Sequence, residues 1–308
     1  MMSSIHPTVR LANGTKINGL WHKRQYQIKQ LLGEGARGST YLVEASGKKV
    51  ALKISRDPSV VTAEANILKK LQRAQSISLG PSLIDVDDGY LPNRMKQSFY
   101  VMEYVQGKPM TTLVGKLSLV DLGRLMSRLL SELHQLHSMS YIFGDLKLDN
   151  MIFDDSLKRI RLVDVGGVTQ VGRGIREYTS IYDRGFWRLG GRKAEPTYDL
   201  FALAICLMHA ERPLKFDSNG QQQILWRFLS SSKRITPFQQ VIKQALLGKY
   251  RDALHMKRDV DQVVQHLIRS RPVQQRTTKV NNRRISERDL ITLSGMVAFN
   301  GFMIYILL

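Results

Sequence analysis

The sequence predicts an α+β chain of two lobes, a small β-rich N-terminal lobe and a larger helical C-terminal lobe, followed by a C-terminal transmembrane helix. Three observations lead there. Short alternating apolar runs separated by glycine turns fill residues 26–105, as strands require. After Gln106-Gly107 the pattern changes to leucines at helical spacing, Leu122, Leu125, Leu129, Leu133 and Leu136. Residues 290–308 contain no ionisable side chain except Tyr305; nineteen residues of helix at ~1.5 Å each span ~28 Å, close to the ~30 Å hydrocarbon core of a bilayer. The chain thus divides into an N-terminal segment 1–25, a domain 26–268 with lobes 26–105 and 106–268, a basic juxtamembrane linker 269–289 and a span 290–308.

Bulk properties narrow the class. With 308 residues, 43% of them hydrophobic, the chain has enough apolar material for a two-lobed core and is not disordered throughout. Its formal net charge of +20 exceeds what a soluble enzyme needs and points to an anionic partner, nucleic acid or lipid headgroups. One cysteine, Cys206, excludes an intramolecular disulfide and sits in an apolar run as a small core residue. Residues 1–30 are polar and basic, without the apolar stretch of a signal peptide.

In chain order, an alternating strand 26–31 leads into the turn Gly33-Glu34-Gly35-Ala36-Arg37-Gly38, then strands 39–45 and 50–54. Strand, glycine turn, strand is not the strand–turn–helix setting of a dinucleotide site. A glycine hairpin does let backbone amides approach phosphate oxygens. Lys53 interrupts an apolar strand, and Glu64 lies in a helix-spaced run 60–71, so the two can form a partly buried ion pair that aims an ammonium at a phosphate. A strand 98–105 enters the connector at Gln106-Gly107. The helix 119–139 carries His134 and His137, which read as core or flank residues because no ligand cluster accompanies them.

Next comes Phe143-Gly144-Asp145-Leu146-Lys147-Leu148-Asp149-Asn150. Phosphoryl transfer needs an acceptor for the attacking hydroxyl's proton, a cation near the moving group and an oxygen ligand for Mg²⁺; Asp145, Lys147 and Asn150 suit these roles in that order. A further carboxylate, Asp164 in Asp164-Val165-Gly166, follows fourteen residues after Asn150. Strands 150–153 and 160–163 flank the interval; a glycine- and arginine-rich loop 165–198 and helices 199–210, 221–231, 236–247 and 255–268 complete the domain.

Together the glycine turn, strand lysine, helix glutamate, D-x-K-x-x-N and D-V-G, in this order and in these elements, resemble the protein-kinase family over residues 26–268. The resemblance implies that Leu32, Gly33, Gly35, Gly38 and Ala51 enclose ATP, with Lys53, held by Glu64, on its α- and β-phosphates. It further implies adenine contacts from Glu103 and Val105, Asp145 as catalytic base, Lys147 beside the γ-phosphoryl group, Asn150 and Asp164 on Mg²⁺, and Asp199 supporting the catalytic loop. Ile142–Lys147, Asp164–Gly167, Glu177–Trp187 and Arg192–Ala202 are similar to Hanks-type serine/threonine kinases of spore-forming Bacillus relatives. That likeness implies a membrane-tethered kinase without an outer domain, cytoplasmic on its basic side, which phosphorylates protein substrates, binds and is stimulated by DNA, and serves sporulation or DNA-damage signalling.

Departures from the family pattern concern regulation. Phe143-Gly144 replaces His-Arg before Asp145, removing the arginine that would pair with a phosphorylated activation loop. The A-P-E signature has no match, since Ala194-Glu195-Pro196 is scrambled and close to Asp199, so the glutamate–arginine pair that anchors this loop is expected to be absent. Thr169, Thr179 and Ser180 are candidate autophosphorylation sites, with Arg173, Arg176 or Arg184 as phosphate receivers. Residues 269–289 hold seven Lys/Arg against two Asp/Glu, net +5, and Arg269, Arg271, Arg276, Lys279, Arg283 and Arg284 are candidate DNA or lipid contacts. The other +15 is spread over residues 1–268, which favours phosphate-backbone contact, with homo-oligomers assembling on DNA. Two other readings stay open: a catalytically silent membrane scaffold for DNA or anionic lipid, and a kinase of small molecules.

Overall fold

The computed structural model of the chain describes residues 10–35, 37–73, 79–92, 94–214 and 220–270. Arg271, Arg276, Lys279, Arg283, Arg284 and the expected span 290–308 lie outside the described residues. Among those described, no helix is long and apolar enough to cross a membrane.

The N-terminal lobe is an antiparallel sheet in the order β1-β2-β3-β4-β6-β5, from β1 (Lys16–Asn18), β2 (Gln25–Gly35), β3 (Gly38–Ala45), β4 (Lys48–Ser55), β5 (Leu83–Tyr90) and β6 (Lys96–Glu103). Residues 16–18, read from the sequence as part of a separate leading segment, pair with Gln25–Gln27 as the edge strand. Helix α1 (Pro58–Arg73) crosses the sheet. Pro58 fits the first helical turn, where its missing N–H is not needed, and Asp57 accepts from the Ser59 amide at 2.8 Å. The buried stripe of α1 is Val61, Glu64, Ala65, Leu68 and Leu71, so a glutamate occupies a position that helical periodicity reserves for an apolar residue.

The connector leads through β7 (Lys108–Pro109) and α2 (Met110–Leu113) to α3 (Leu119–Ser138), capped by Ser118, whose hydroxyl accepts from the Asp121 amide. Then follow β8 (Tyr141–Ile142), β9 (Met151–Asp154), β10 (Arg159–Leu162) and β11 (Thr169–Gln170), which form the small sheets β10-β9-β7 and β11-β8. Helix α4 (Pro196–Met208) starts three residues before the sequence expectation, again because a proline fits the first turn. It is buried on every side from Tyr198 to Met208, Cys206 included. Helices α5 (Gln222–Ser231), α6 (Gln239–Leu246) and α7 (Ala253–Arg269) close the lobe, with Arg269 ending α7.

One apolar cluster packs among the strands of the N-terminal sheet, around Tyr26, Val43, Leu52 and Phe99. A second is continuous between the lobes: Leu68 and Leu79 above, Val165 and Phe143 between, α3 and α4 below. The active-site loops lie along this seam.

Candidate active site

The cavity between the lobes has a volume of about 470 Å³ and is lined by Leu32 and Gly33 above, Ala51 and Lys53 behind, Glu103 and Val105 at the connector, and Asn150 and Asp164 below. Gly35 and Gly38 do not line it. They pair with each other and close the β2–β3 hairpin. Gly38 has φ +139°, and a Cβ there would lie 2.1 Å from the Ile54 carbonyl, so no other residue fits.

Lys53 is 6% exposed and its ammonium lies 2.8 Å from Glu64 and 3.2 Å from Asp164. Burial alone would lower the Lys53 pKa, yet Asp164 and Glu64 outweigh it and the net shift is upward, so the amine stays charged. Burial likewise raises the Asp164 carboxyl, while Lys53 and the Gly166 amide pull it below the usual carboxylate range. Glu64, the misfit on the buried face of α1, is explained by the ammonium and by the Tyr100 hydroxyl, which donates to it at 2.8 Å. Thus Glu64 lies behind this cavity, where it holds Lys53.

Asp145 is held from three sides. Lys147 Nζ donates to its Oδ2 at 2.7 Å, Thr179 Oγ1 to its Oδ1 at 3.1 Å, and Asn150 Nδ2 to its backbone carbonyl at 2.9 Å. Thr179 also accepts from Lys147 at 3.0 Å. The sequence offered Thr179 as a phosphorylation site; the fold puts its hydroxyl on the Asp145 carboxylate, where it orients carboxylate and ammonium together. Thr169 stands on β11 with its hydroxyl on the Gly167 carbonyl, and Ser180 is exposed after Thr179.

The loop is fixed by Asp199, which is fully buried and accepts from the Phe143 amide at 2.8 Å and the Gly144 amide at 2.9 Å. His137 Nε2, which the sequence offered as a core or flank residue, lies 2.9 Å from the same carboxylate. Gly144 has φ +82°, and a Cβ would meet the Gly167 carbonyl at 2.4 Å. A packed backbone therefore stands where the family's arginine side chain would begin. Phe143, beside Gly144, and Val165 of Asp164-Val165-Gly166 are buried in the inter-lobe cluster.

The expected absence of a glutamate–arginine anchor in the activation segment is corrected by the structure. Arg184 and Glu195 form a 2.6 Å ion pair, and Arg184 also donates to Thr197 Oγ1 and the Gly191 carbonyl, both at 2.7 Å. Beside it Asp183, fully buried, accepts from the Gly185 and Phe186 amides, from the Tyr198 hydroxyl and from Arg192. The sequence assigned Arg184 as a phosphate receiver, and the fold employs it here. Near the connector, buried Arg161 holds Glu103 at 2.8 Å and the Gly80 carbonyl at 2.7 Å, another contact without a sequence signal.

A carboxylate base beside an ammonium, a second carboxylate facing a buried lysine–glutamate pair, and a glycine hairpin over one cavity match the phosphoryl-transfer set. The protein kinase domain model matches residues 26–287. The chain belongs to the protein kinase family. It is 42% identical over 252 residues to the serine/threonine-protein kinase YabT of Bacillus subtilis (strain 168), covering 81% of this chain and 75% of that protein. It is 24% identical to the probable serine/threonine-protein kinase YbdM of the same organism, over 80% of this chain and 93% of that one. Among solved structures, vaccinia related kinase 3 superposes with TM-score 0.60 at 16% identity, over 84% of this chain and 93% of that one, a likeness of fold. This chain is accordingly a serine/threonine protein kinase using ATP and Mg²⁺.

The donor set fits the metal. Asn150 gives its amide hydrogens to Asp145, leaving its amide oxygen to accept a cation, and the Asp164 side chain is 47% exposed at the cavity. Hard oxygen donors of this kind suit Mg²⁺. Asn150 and Asp164 would hold the ion, which offsets charge on the phosphate oxygens when bound.

Proposed function

We propose a membrane-anchored serine/threonine kinase that is stimulated by DNA, with the polyanion read by the folded domain. Lys53 and Gly33, at the cavity edge of the glycine hairpin, orient the triphosphate. Asp145 accepts the proton of the attacking hydroxyl as the new oxygen–phosphorus bond forms and the bond to the β-phosphate oxygen breaks. Lys147, bridged to Asp145 through Thr179, stabilises negative charge at the transferring group. The observation that carries DNA stimulation is the +15 on residues 1–268, a surplus that a juxtamembrane lipid patch does not account for. Gly144 supports it from the other side, because it leaves the loop without the arginine of a phosphate-read switch. The uncharged stretch 290–308 after a linker of +5 supports single-pass anchoring with the kinase domain cytoplasmic. Homo-oligomers gathered on DNA would favour phosphorylation between copies.

The test is phosphate incorporation into a generic basic protein by the full chain, with duplex DNA, anionic vesicles or neither, across a salt series. Stimulation by DNA that fades with salt is expected, together with loss of all activity in Asp145→Ala. An unchanged rate with DNA at low salt removes the stimulation. Stimulation by vesicles alone transfers the role to lipid.

A further inference from the structure

A second cavity, of about 860 Å³, lies on the far side of the Lys53–Glu64 pair, between α1 and the segment that follows Asp164. Four cations line it, Arg37, Lys70, Arg173 and Arg176, against two acids, Glu64 and Glu177. Both acids are already engaged: Glu64 holds Lys53, and Glu177 pairs with Arg37, which also donates to the Gly166 carbonyl at 3.0 Å. Lys70, Arg173 and Arg176 remain. Among the described residues Lys70 donates only to the Tyr141 hydroxyl, at 2.6 Å, and it lies over that ring. Among the described residues, neither arginine side chain has a hydrogen bond or an ion pair. The lining therefore carries a net formal charge of +2, and the kinase chemistry does not use Lys70, Arg173 or Arg176.

Their placement is fixed. Backbone hydrogen bonds from Gly172 to the Ala194 carbonyl, from Ala194 to the Arg173 carbonyl and from Ile175 to the Arg192 carbonyl tie the ribbon 172–175 to residues 192–194. Arg173 thus stands on an anchored ribbon, Arg176 follows it directly, and Lys70 lines the same cavity from the last turn of α1. A folded protein that holds like charges around one cavity gains by admitting an anion.

We propose that this cleft is a phosphate-binding site for the backbone of a nucleic acid, seated between Lys70 on one side and Arg173 and Arg176 on the other. The inference rests on the reading of DNA as the stimulating partner and locates its contact. A phosphodiester held by both walls ties α1 to the activation segment. Glu64 lies on the same helix as Lys70, and Gly166 follows the metal carboxylate Asp164, so occupancy of the cleft steadies the ion pair that aims Lys53. This coupling replaces the arginine that Gly144 excludes.

The experiment uses the full chain in detergent, as wild type, Lys70→Gln, the double variant Arg173→Gln/Arg176→Gln, and Arg258→Gln on exposed α7 as a charge control. Duplex DNA binding is followed by fluorescence anisotropy from low to high salt, and kinase activity is measured with and without DNA on the same samples. In the double variant the slope of log affinity against log salt should fall by about 2, one counterion for each lost phosphate contact. Stimulation, expressed as the ratio of rates with and without DNA, should drop towards one; the ratio separates coupling from any loss of basal rate. Lys70→Gln should give about half the slope change. Equal losses in Arg258→Gln, or an unchanged slope and ratio in the cleft variants, overturn the site while leaving DNA stimulation standing. Wild type that neither binds nor responds to DNA overturns the reading beneath it. A difference that disappears on phosphatase treatment assigns the cleft to a phosphate on the chain itself and overturns the nucleic-acid ligand.

Discussion

Two loops of this kinase are stapled in the same manner by different means. The catalytic loop is held by Asp199 and the activation segment by Asp183; both carboxylates are fully buried, and each accepts two adjacent backbone amides. Asp199 reaches across from a helix that is buried all round, and its other partner is buried His137. Asp183 gathers two amides of its own segment and Arg192, whose side chain is 42% exposed, and meets α4 through the hydroxyl of Tyr198, next to Asp199. A staple that spans two elements fixes the site to the core. One made mainly of its own segment's amides fixes the shape of that loop and joins it to the core through the Tyr198 hydroxyl.

The largest consequence should follow from breaking the first staple. Asp199→Asn keeps the volume but presents an amide where two N–H groups and His137 need an acceptor. Leaving buried donors unsatisfied costs about 1–3 kcal/mol each, so a loss on the order of 2–5 kcal/mol is expected in denaturant unfolding. With the backbone of Phe143 and Gly144 released, kcat should fall by roughly a hundredfold or more, as misplacement of a reacting group does. Asp183→Asn should cost less, about 1–3 kcal/mol, because Arg192 is partly solvated and screened. Its kinetic effect should be concentrated in KM for the protein substrate, with KM for ATP unchanged. Equal losses in the two variants would mean that the loops form one cooperative unit, and the comparison would fail.

Gly144 sharpens the same contrast at smaller scale. In Gly144→Ala the added methyl meets the Gly167 carbonyl, and the left-handed backbone adds ~1–2 kcal/mol of strain. The expected result is a Tm lower by several degrees together with lower activity. A fully active and stable Gly144→Ala would show that this turn yields easily, and that the lack of an arginine there has another cause.

How much of this was legible depended on whether residues announce themselves by spacing. Lys53, Glu64, Asp145, Lys147, Asn150 and Asp164 do, because they stand in recognisable strand, helix and loop contexts and each type has a definite chemical use, whereas Asp199 is legible through the family resemblance alone. Asp183, Arg184, Arg192 and Glu195 do not: their partners meet through turns whose path no periodicity records. Thr179 was visible as a hydroxyl but not as a neighbour of Asp145. In β5 the pattern misleads, since Asp85 and Asp87 face inward while Ile84 and Val86 are exposed. The inward acids are satisfied by the Tyr26 hydroxyl, His22, Arg24 and the Trp21 and His22 amides, so the strand reverses the usual rule of apolar residues inside. The linker cations and the 290–308 span rest on sequence alone.

The smallest expected effect is the loss of the Arg184–Glu195 anchor in acid. The Arg184 hydrogen bond outweighs a burial cost and, with Thr197, holds the Glu195 carboxyl below its ordinary value. A carboxyl depressed in the folded state stabilises it fully above the unfolded pKa, about 4.3 for glutamate, and that contribution is lost as pH falls through the folded value. Between roughly pH 5 and 3, then, amides near Arg184 and Glu195 should lose hydrogen-exchange protection, after correction for intrinsic rates, while those of the helix core α4 keep theirs. Glu195→Gln has no carboxyl to titrate, so its protection in this segment should start lower and vary less with pH. If both proteins lose protection at the same pH, the segment is anchored by Asp183 and its amides alone, and the Arg184–Glu195 pair only accompanies them.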